Sequence, residues 1–319
     1  MCSSDLGTTG RVGFRDYVLD LVLGADHPVR GSGRIASSQA AGGSGALRLG
    51  AQLAFAASPK ATVWVSTPTW ANHIPLIGST GLTLDTYPYY NRETLGVDFD
   101  DMLAHLDKHA KPGDMVLLHG CCHNPTGADL SPAQWDEIVP FLNERELIPF
   151  IDLAYLGLGQ GLEEDGYGLR LTVRDCPEVI FTVSASKNFG LYRDRVGIAM
   201  MIAKDASTAE LVQGNLAVLN RLNYSFAPDH GAAVVGMILA DAELRAEWMA
   251  ELEQMRMTML TIRKDLADAL RQQCNSDHFD FIAHHRGMFS RLGLNAEQVL
   301  SLREDHGMYL VGDSRINIA

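Results

Sequence analysis

The sequence predicts an α/β fold in which a mostly parallel sheet is covered by helices. Short runs of apolar and β-branched residues alternate with longer segments of helical periodicity over roughly the first 200 residues. The runs are continuously apolar, which is typical of strands buried on both faces. Beyond about residue 205 helical patterns dominate. These observations indicate a layered sheet domain followed by a helical region and a smaller α+β domain.

Six apolar runs predict the strands of this sheet, and they lie at 61–67, 82–87, 114–120, 147–155, 179–186 and 196–203. Helices are expected at 98–110 and 132–145, and another opens within 42–50. Ser131 is a suitable N-cap for the helix at 132–145, because its hydroxyl can accept a hydrogen bond from the first turn. Pro132 suits the first helical position.

Further helices are predicted at 207–222, 229–240, 242–274 and 295–306. We therefore expect a large domain over 8–240, a long connecting helix over 241–274 and a partial C-terminal small domain over 275–319. No internal repeat or low-complexity linker separates them, so the two domains should be packed against each other.

Charge and hydropathy exclude several classes of partner. The net charge of −13 argues against nucleic acid and anionic membranes, which would be repelled by an acidic surface. A small acidic substrate remains compatible where local arginines outweigh the overall field. No run approaches the roughly 20 apolar residues that a membrane span needs, and the first residues lack the pattern of a secretory signal. We expect a cytoplasmic protein.

The five cysteines are irregularly spaced, which predicts reduced thiols rather than a disulfide framework. Cys121, Cys122 and His123 are adjacent, but the sequence has no second pair of ligands at metal-binding spacing. Buried thiols and no metal are the expectation.

Polar residues follow the predicted strands where ligands usually bind. In parallel α/β sheets the ligand crevice lies at the carboxyl ends of the strands. The residues at such positions are Trp70, Asn124, Asp152, Tyr155 and Lys187, and the glycine-rich helix start at 42–50 would join them. The sequence therefore predicts one pocket.

Asp152 and Lys187 each permit two interpretations. A carboxylate inside the apolar run "LIPFIDLAYL" is costly unless it is paired, so Asp152 is either a site residue or half of a structural ion pair. Lys187 ends a buried strand, where desolvation would lower its pKa and suit it to Schiff-base chemistry. The alternative for Lys187 is a side chain that extends to solvent.

Two short patterns nearby are weaker signals. Gly43, Ser44 and Gly45 open a helix and offer free N–H groups to a phosphate, although glycine before a helix is common. Residues 184–187 match S-x-x-K, the nucleophile motif of serine β-lactamases. The S-D-N and K-T-G companions of that motif do not occur in the sequence, which disfavours this alternative.

Taken together, the motifs resemble the aspartate/aromatic amino-acid aminotransferases, which are pyridoxal-phosphate enzymes of fold type I. The matching segments follow the family's order, and they are "GGSGALR", "PTWANH", "HNPTG", "IDLAYLG", "SASKNFGLYRDRVG", "RLNYSFAPDHGA", "RGMFSRLGL" and "SRINIA". The resemblance covers about residues 8 to 319. It implies a homodimeric transaminase with the fold type I architecture, in which a mostly parallel, seven-stranded type of sheet lies between helices. In this architecture 8–240 is the pyridoxal-phosphate-binding large domain.

The resemblance also implies a role for each matching residue. Lys187 would bind pyridoxal phosphate covalently and move the proton of the substrate, and Asp152 would pair with the pyridine nitrogen, with His73 behind it. The remaining cofactor contacts would be Tyr155 and Asn124 to the phenolic oxygen, Trp70 on the ring, and Gly43, Ser44, Ser184 and Arg195 on the phosphate.

Three residues are implied in substrate binding. Arg315 would bind the α-carboxylate, with Phe289 lining the pocket beside it. Arg221 would reach across the dimer interface to the side-chain carboxylate of a dicarboxylic substrate. For both arginines the alternative is a surface ion pair.

Compared with that family, both ends of the chain look truncated, and residues 1–7 resemble nothing in it. The leading hypothesis is a ping-pong transaminase that takes aspartate or an aromatic amino acid and a 2-oxo acid such as 2-oxoglutarate. The alternatives are another fold type I chemistry, such as a β-lyase or a decarboxylase, and an inactive truncated homologue. The preference between aspartate and aromatic substrates is left open.

Overall fold

A computed structural model describes residues 6–319, so residues 1–5 lie outside the described part of the chain. The strands are β1 Leu6–Gly7, β2 Gly10–Arg11, β3 Ile35–Ala41, β4 Thr62–Thr67, β5 Thr83–Pro88, β6 Met115–His119, β7 Ile148–Leu153, β8 Val179–Ser184, β9 Val196–Ile202, β10 Phe289–Arg291 and β11 Arg315–Asn317. The helices are α1 Phe14–Leu23, α2 Gly42–Ala57, α3 His73–Gly78, α4 Phe99–His109, α5 Pro132–Glu144, α6 Leu162–Asp165, α7 Tyr167–Asp175, α8 Ala206–Tyr224, α9 Asp229–Ala240, α10 Ala242–Cys274, α11 Phe281–His284 and α12 Ala296–His306, and a short 3₁₀ helix spans Pro28–Gly31.

The large sheet has seven strands in the order β3-β9-β8-β7-β6-β4-β5. The pairs from β5 through β8 are parallel, and β9 runs antiparallel to both of its neighbours. The predicted mostly parallel sheet is therefore confirmed. Every residue of β8 is buried, which explains why the central strands have continuously apolar sequences.

Sequence reasoning missed β3, because "IASSQAA" has small and polar residues rather than a β-branched run. Tertiary contacts provide what its composition lacks. Gln213 on α8 accepts a hydrogen bond from the N–H of Ser37 at 2.9 Å and donates one to the Ser37 carbonyl at 3.0 Å. A helix side chain thus satisfies the backbone of Ser37 in this strand, which lies at the edge of the seven-stranded sheet.

Several predicted helices have nearly the observed bounds. Helix α5 begins after Ser131, whose side chain accepts from the Gln134 N–H while the Gln134 side chain accepts from the Ser131 N–H, which forms a capping box. The long helix predicted at 242–274 is α10, with 33 residues. Its buried residues form one stripe, and they are Trp248, Leu252, Met259, Arg263 and Ala267.

The apolar core lies between the sheet and the helices that cover it. Cys121, Cys122 and Cys176 are buried free thiols, and Cys274 is an exposed one. Within residues 6–319, no helix combines the length and the apolar character needed to cross a membrane. Two small antiparallel sheets are present besides the large one, β1 paired with β2 and β10 paired with β11.

Candidate active site

A cavity of about 260 Å³ lies at the carboxyl ends of the parallel strands, where the sequence predicts the pocket. Every predicted site residue except Arg221 lines it. The large sheet and its loops contribute Trp70, Asn124, Asp152, Tyr155, Ser184, Lys187 and Arg195, helix α2 contributes Gly43 and Ser44, and the C-terminal segment contributes Phe289 and Arg315.

Asp152 near the end of β7 is buried and held by two side chains. His73 Nε2 lies 3.2 Å from Asp152 Oδ2, and Thr182 on the neighbouring strand donates its hydroxyl to Oδ1 at 3.1 Å. Burial alone would raise the pKa of Asp152, but the His73 hydrogen bond and the nearby positive groups, Lys187 among them, outweigh it and lower the pKa. The carboxylate therefore stays ionised and faces the cavity.

A chain of hydrogen-bonding groups extends behind Asp152. His73 Nδ1 lies 2.8 Å from Thr69 Oγ1, which in turn lies 3.2 Å from His119 Nε2. Burial, together with His73, lowers the pKa of His119 to about 3, although Asp152 opposes the shift. His119 is thus a neutral imidazole at neutral pH. The hydrogen bonds among His119, Thr69 and His73 hold the His73 ring, which in turn orients Asp152.

Lys187 follows β8 and is half-buried beside two aromatic rings. Its Nζ lies 4.6 Å from the ring centroid of Tyr155 and 5.4 Å from that of Tyr192. Burial lowers the pKa of Lys187, with Asp152 opposing and Arg195 reinforcing the effect. A lowered pKa increases the neutral fraction of the amine, which is the nucleophilic form.

The Asn124 side chain donates from Nδ2 to the Tyr155 hydroxyl at 3.3 Å. Asn124 follows β6 and Tyr155 follows β7, which are parallel neighbours. The two side chains therefore meet above the same edge of the sheet, close to Lys187.

One end of the cavity is built to receive an anion. Helix α2 begins at Gly42, where φ is +73°. A Cβ atom there would lie 2.3 Å from Arg195 Nη2, and a Cβ at Gly43 would lie 2.9 Å from the Cβ of Ser184. The guanidinium, the hydroxyl and the N–H groups of the helix start thus converge only because glycine leaves room.

At the other end, Arg315 and Phe289 come from the paired strands β11 and β10. The Arg315 guanidinium lies 4.9 Å from the centroid of the Phe289 ring, and its Nη1 donates to Asn124 Oδ1 at 3.3 Å. This arginine makes no ion pair within the part of the chain that the structure describes. It is placed to pair with a carboxylate inside the cavity.

Arg221 lies on α8 outside the cavity of its own chain. It is exposed, and its guanidinium is 6.0 Å from the centroid of Phe226. The structure therefore does not bring Arg221 to the cavity of its own chain.

Sequence reasoning missed several residues of the cavity wall, namely Leu47, His119, Ala154, Ser186 and Tyr192. His119 ends a predicted strand, so the rule that found Asn124 and Asp152 had the signal to find it. Leu47 and Tyr192 carried no such signal, because apolar and aromatic residues are common in helices and loops.

A half-buried lysine of lowered pKa, a buried ionised carboxylate and an anion cradle thus surround one cavity at the end of a mostly parallel sheet. On this fold, the combination defines a fold type I pyridoxal-phosphate enzyme.

The profile of the family "Aminotransferase class I and II" matches residues 6–319, so the chain belongs to this family of pyridoxal-phosphate-dependent transaminases. The aromatic-amino-acid aminotransferase of Paracoccus denitrificans is 51% identical over 313 residues, which are 98% of this chain and 78% of that protein. The aspartate aminotransferase of Escherichia coli K12 is 40% identical over 314 residues, 98% of this chain and 79% of the relative.

Solved structures have the same fold. An aromatic amino acid aminotransferase with 3-indolepropionic acid has a TM-score of 0.95 at 50% identity, over 100% of this chain and 81% of the other. The aromatic-amino-acid aminotransferase of Burkholderia pseudomallei, covalently bound to pyridoxal phosphate, has a TM-score of 0.96 at 41% identity, over 100% of this chain and 79% of that one.

The cavity residues suit this cofactor chemically. Lys187 offers an amine for its aldehyde, Asp152 a fixed negative charge for a protonated pyridine nitrogen, and Arg195 a permanent positive charge for the phosphate. The space that glycine leaves at the start of α2 is compatible with a phosphate beside Arg195.

Proposed function

We propose that this transaminase moves the amino group between aspartate or aromatic amino acids and 2-oxo acids such as 2-oxoglutarate in a ping-pong reaction. The observation that carries the proposal is that Lys187, Asp152 and Arg315 line one cavity. The substrate classes are supported by the relatives, which are named as aromatic-amino-acid, tyrosine and aspartate aminotransferases.

The proposed roles divide between two tasks. When bound, pyridoxal phosphate supplies an electron sink that makes the α-proton of an amino acid acidic. Lys187 would hold the cofactor covalently and then use Nζ to carry the proton from the substrate α-carbon. Asp152 would keep the pyridine nitrogen protonated, since its own pKa is lowered and the carboxylate is ionised at neutral pH.

The other cofactor contacts hold the ring and the phosphate in place. Tyr155 and Asn124 would hydrogen-bond to the phenolic oxygen, and Trp70 would pack on the ring. The phosphate would be bound by Gly43, Ser44, Ser184 and Arg195, which surround the start of α2. These groups would hold the cofactor in place when Lys187 is not bound to it.

For the substrate, Arg315 would bind the α-carboxylate in a two-point ion pair, with Asn124 beside it and the Phe289 ring against the guanidinium. The aromatic rings that line the cavity suit an aromatic side chain, and they belong to Trp70, Tyr155, Tyr192 and Phe289. A dicarboxylic substrate would need a second cation, and Arg221 is the candidate.

We propose a homodimer with shared active sites, in which Arg221 of one subunit serves the cavity of the other. Exposed apolar side chains on α8 and α9 support this arrangement, and they are Leu211, Val218, Leu222 and Met237. Burying them against a second copy would stabilise the assembly.

We also propose the division into a large domain over 8–240, the connecting helix over 241–274 and a small C-terminal domain over 275–319. The single long helix α10 and the separate β10–β11 sheet support it. The proposed compartment is the cytoplasm, to which the free cysteines are suited.

The cofactor proposal is tested by adding pyridoxal phosphate to purified protein and recording its absorbance. We expect a band from the lysine-bound cofactor that disappears in Lys187→Ala and persists in Lys204→Ala, since Lys204 is an exposed lysine outside the cavity. A parent protein without the band would contradict the proposal.

Product analysis separates transamination from the other fold type I chemistries. Tyrosine or aspartate mixed with 2-oxoglutarate should give glutamate, whereas a β-lyase or a decarboxylase would leave 2-oxoglutarate unconsumed. Comparing the rates with aspartate, tyrosine and phenylalanine then decides the substrate preference.

A further inference from the structure

Arg263 on α10 is a fully buried cation outside the cavity. Its relative exposure is 0%, and no carboxylate lies within ion-pair distance of it in the described part of the chain. Burial lowers the pKa of Arg263 to about 10, with Cys122 and Asp129 opposing the effect and Arg286 reinforcing it. The guanidinium is thus still charged at neutral pH. A buried charge is costly unless other polar groups compensate it.

The compensation comes from one segment of the chain, which runs from α11 through a turn into β10. Nη2 donates to the carbonyls of Gly287 at 2.7 Å, Phe289 at 2.8 Å and Arg286 at 3.3 Å. Nη1 donates to Ser290 Oγ at 2.6 Å and to the Ile282 carbonyl at 3.2 Å. The planar fork of an arginine can reach this many acceptors at once, which a single ammonium cannot.

Arg263 donates hydrogen bonds to two carbonyls of the turn at 286–290, those of Arg286 and Gly287. Over residues 6–319, no backbone N–H donates to the carbonyl of Arg286 or of Gly287. Without the guanidinium, the buried Gly287 carbonyl and the partly buried Arg286 carbonyl would lose their donor, and an unsatisfied buried acceptor costs more than a hydrogen bond normally contributes. The conformation of the turn, with φ of +76° at Gly287, is therefore stabilised by a side chain from a different element.

The turn also packs directly against the loop that carries Asn124. The Arg286 N–H donates to the Gly127 carbonyl at 2.8 Å. A Cβ atom at Gly127 would lie 2.3 Å from the Phe289 carbonyl oxygen, and one at Gly287 would lie 2.4 Å from the Cβ of Cys122. Backbone from two distant segments thus meets at close range, so a displaced turn would shift the cavity wall.

Strand β10 continues from this turn and pairs with the strand that contains Arg315, so a shift of the turn would also move Arg315. In the antiparallel pair, Arg291 lies opposite Arg315, and Phe289 lies opposite Asn317. The strand is three residues long and pairs with β11 in a two-stranded sheet. Such a short pair has little stability of its own, so its position depends on what anchors it.

We propose that Arg263 is a positioning residue for substrate binding, which holds the 286–290 turn so that Phe289 and Arg315 face the substrate carboxylate. The inference rests on the proposed role of Arg315 in carboxylate binding. A merely structural Arg263 would affect folding stability without changing the affinity for a carboxylate, so the two roles give different results.

The test uses the cofactor-loaded protein and 3-indolepropionic acid, a carboxylate without an amino group to transfer. Calorimetric titration gives its Kd for the parent, R263K, R263M and R315K, and absorbance reports the bound cofactor. We expect Kd to rise about tenfold or more in R263K, R263M and R315K, with the cofactor band unchanged. R271K is the matched control, because Arg271 is an exposed arginine of the same helix that pairs with Asp280, and it should bind like the parent.

A folded R263K with a Kd within twofold of the parent, beside a weakened R315K, overturns the inference and leaves the role of Arg315 intact. An unchanged Kd in R315K overturns both. If neither Arg263 variant folds, the Kd of S290A is measured instead, because this variant removes one acceptor of the guanidinium and keeps the charge of Arg263. A Kd raised about threefold then supports the proposal, and a Kd equal to that of the parent overturns it.

Discussion

Arg315 and Asn124, which are 191 positions apart in the sequence, are joined by a hydrogen bond of 3.3 Å from Nη1 to Oδ1. The same amide donates from Nδ2 to the Tyr155 hydroxyl at 3.3 Å. Asn124 therefore links a residue proposed for substrate binding to one proposed for cofactor binding. Its amide is oriented by both partners, since its oxygen faces a donor and its nitrogen faces an acceptor.

Asn124→Ala should lower kcat/KM by roughly 10- to 100-fold, because a hydrogen bond to a charged group contributes about 1.5–3 kcal/mol. Steady-state kinetics with tyrosine and 2-oxoglutarate measure the effect. Asn143→Ala is the control, since Asn143 donates to the Asp175 carbonyl near the surface, and its kinetics should match the parent. Equal rates for both variants would exclude a role for Asn124 in the site.

Gly42→Ala should weaken binding of pyridoxal phosphate by about tenfold or more. The new methyl group would lie 2.3 Å from Arg195 Nη2, so the guanidinium must move, and charge-assisted hydrogen bonds are sensitive to such shifts. The positive φ of +73° adds a backbone cost of about 1 kcal/mol. Titration of the cofactor-free protein with pyridoxal phosphate gives the affinity.

The matched control is Gly31→Ala, where an added Cβ meets nothing within 4 Å and the backbone φ is not positive. Its cofactor affinity should equal that of the parent. If Gly42→Ala also binds normally, Arg195 is not held at the helix start for the phosphate.

The pH dependence of stability should include a contribution from Asp129. Burial raises the pKa of Asp129 from 3.8 to about 6, although the N–H groups of His123 and Cys122 donate to its carboxylate. Between these values the folded chain keeps a proton that the unfolded chain has released. This contribution to the free energy of unfolding therefore falls as pH rises from about 4 through the folded pKa of about 6, by at most about 3 kcal/mol, and becomes constant towards pH 7.

Urea unfolding of the parent and Asp129→Asn between about pH 4 and pH 7 measures this contribution. The difference in unfolding free energy between the two proteins should change across this range and level off towards pH 7. Asp265→Asn, at an exposed position on α10, should follow the parent at every pH. A constant difference between the parent and Asp129→Asn would show that Asp129 titrates alike in both states.

Arg221→Ala should lower kcat/KM for dicarboxylic substrates much more than for aromatic ones. Loss of its charge removes the proposed partner of the side-chain carboxylate, so kcat/KM for aspartate should fall roughly 10- to 100-fold while that for tyrosine changes less than about threefold. Arg174→Ala, which removes an exposed arginine paired with Asp175, controls for the loss of a surface charge. An equal loss with both amino acids would argue against a role specific to the side chain.

Much of the fold follows from local patterns in the sequence. The continuous apolar runs predict the central strands because both faces of those strands are covered, and the helix at 242–274 is readable from its own periodicity. The position of Asp152 and Lys187 at strand ends predicts a shared pocket, because parallel strands bring their carboxyl ends to one edge.

Only the tertiary structure shows the contacts between residues that are far apart in the sequence. Strand β3 forms because β9 and Gln213 satisfy its backbone, and the buried Arg263 is compensated by a turn about twenty residues further along. The contact of Arg315 with Asn124 and the position of Arg221 outside its own cavity are of the same kind. Local sequence determines propensity and periodicity, whereas hydrogen-bond partners and the compensation of buried charge depend on which segments meet in space.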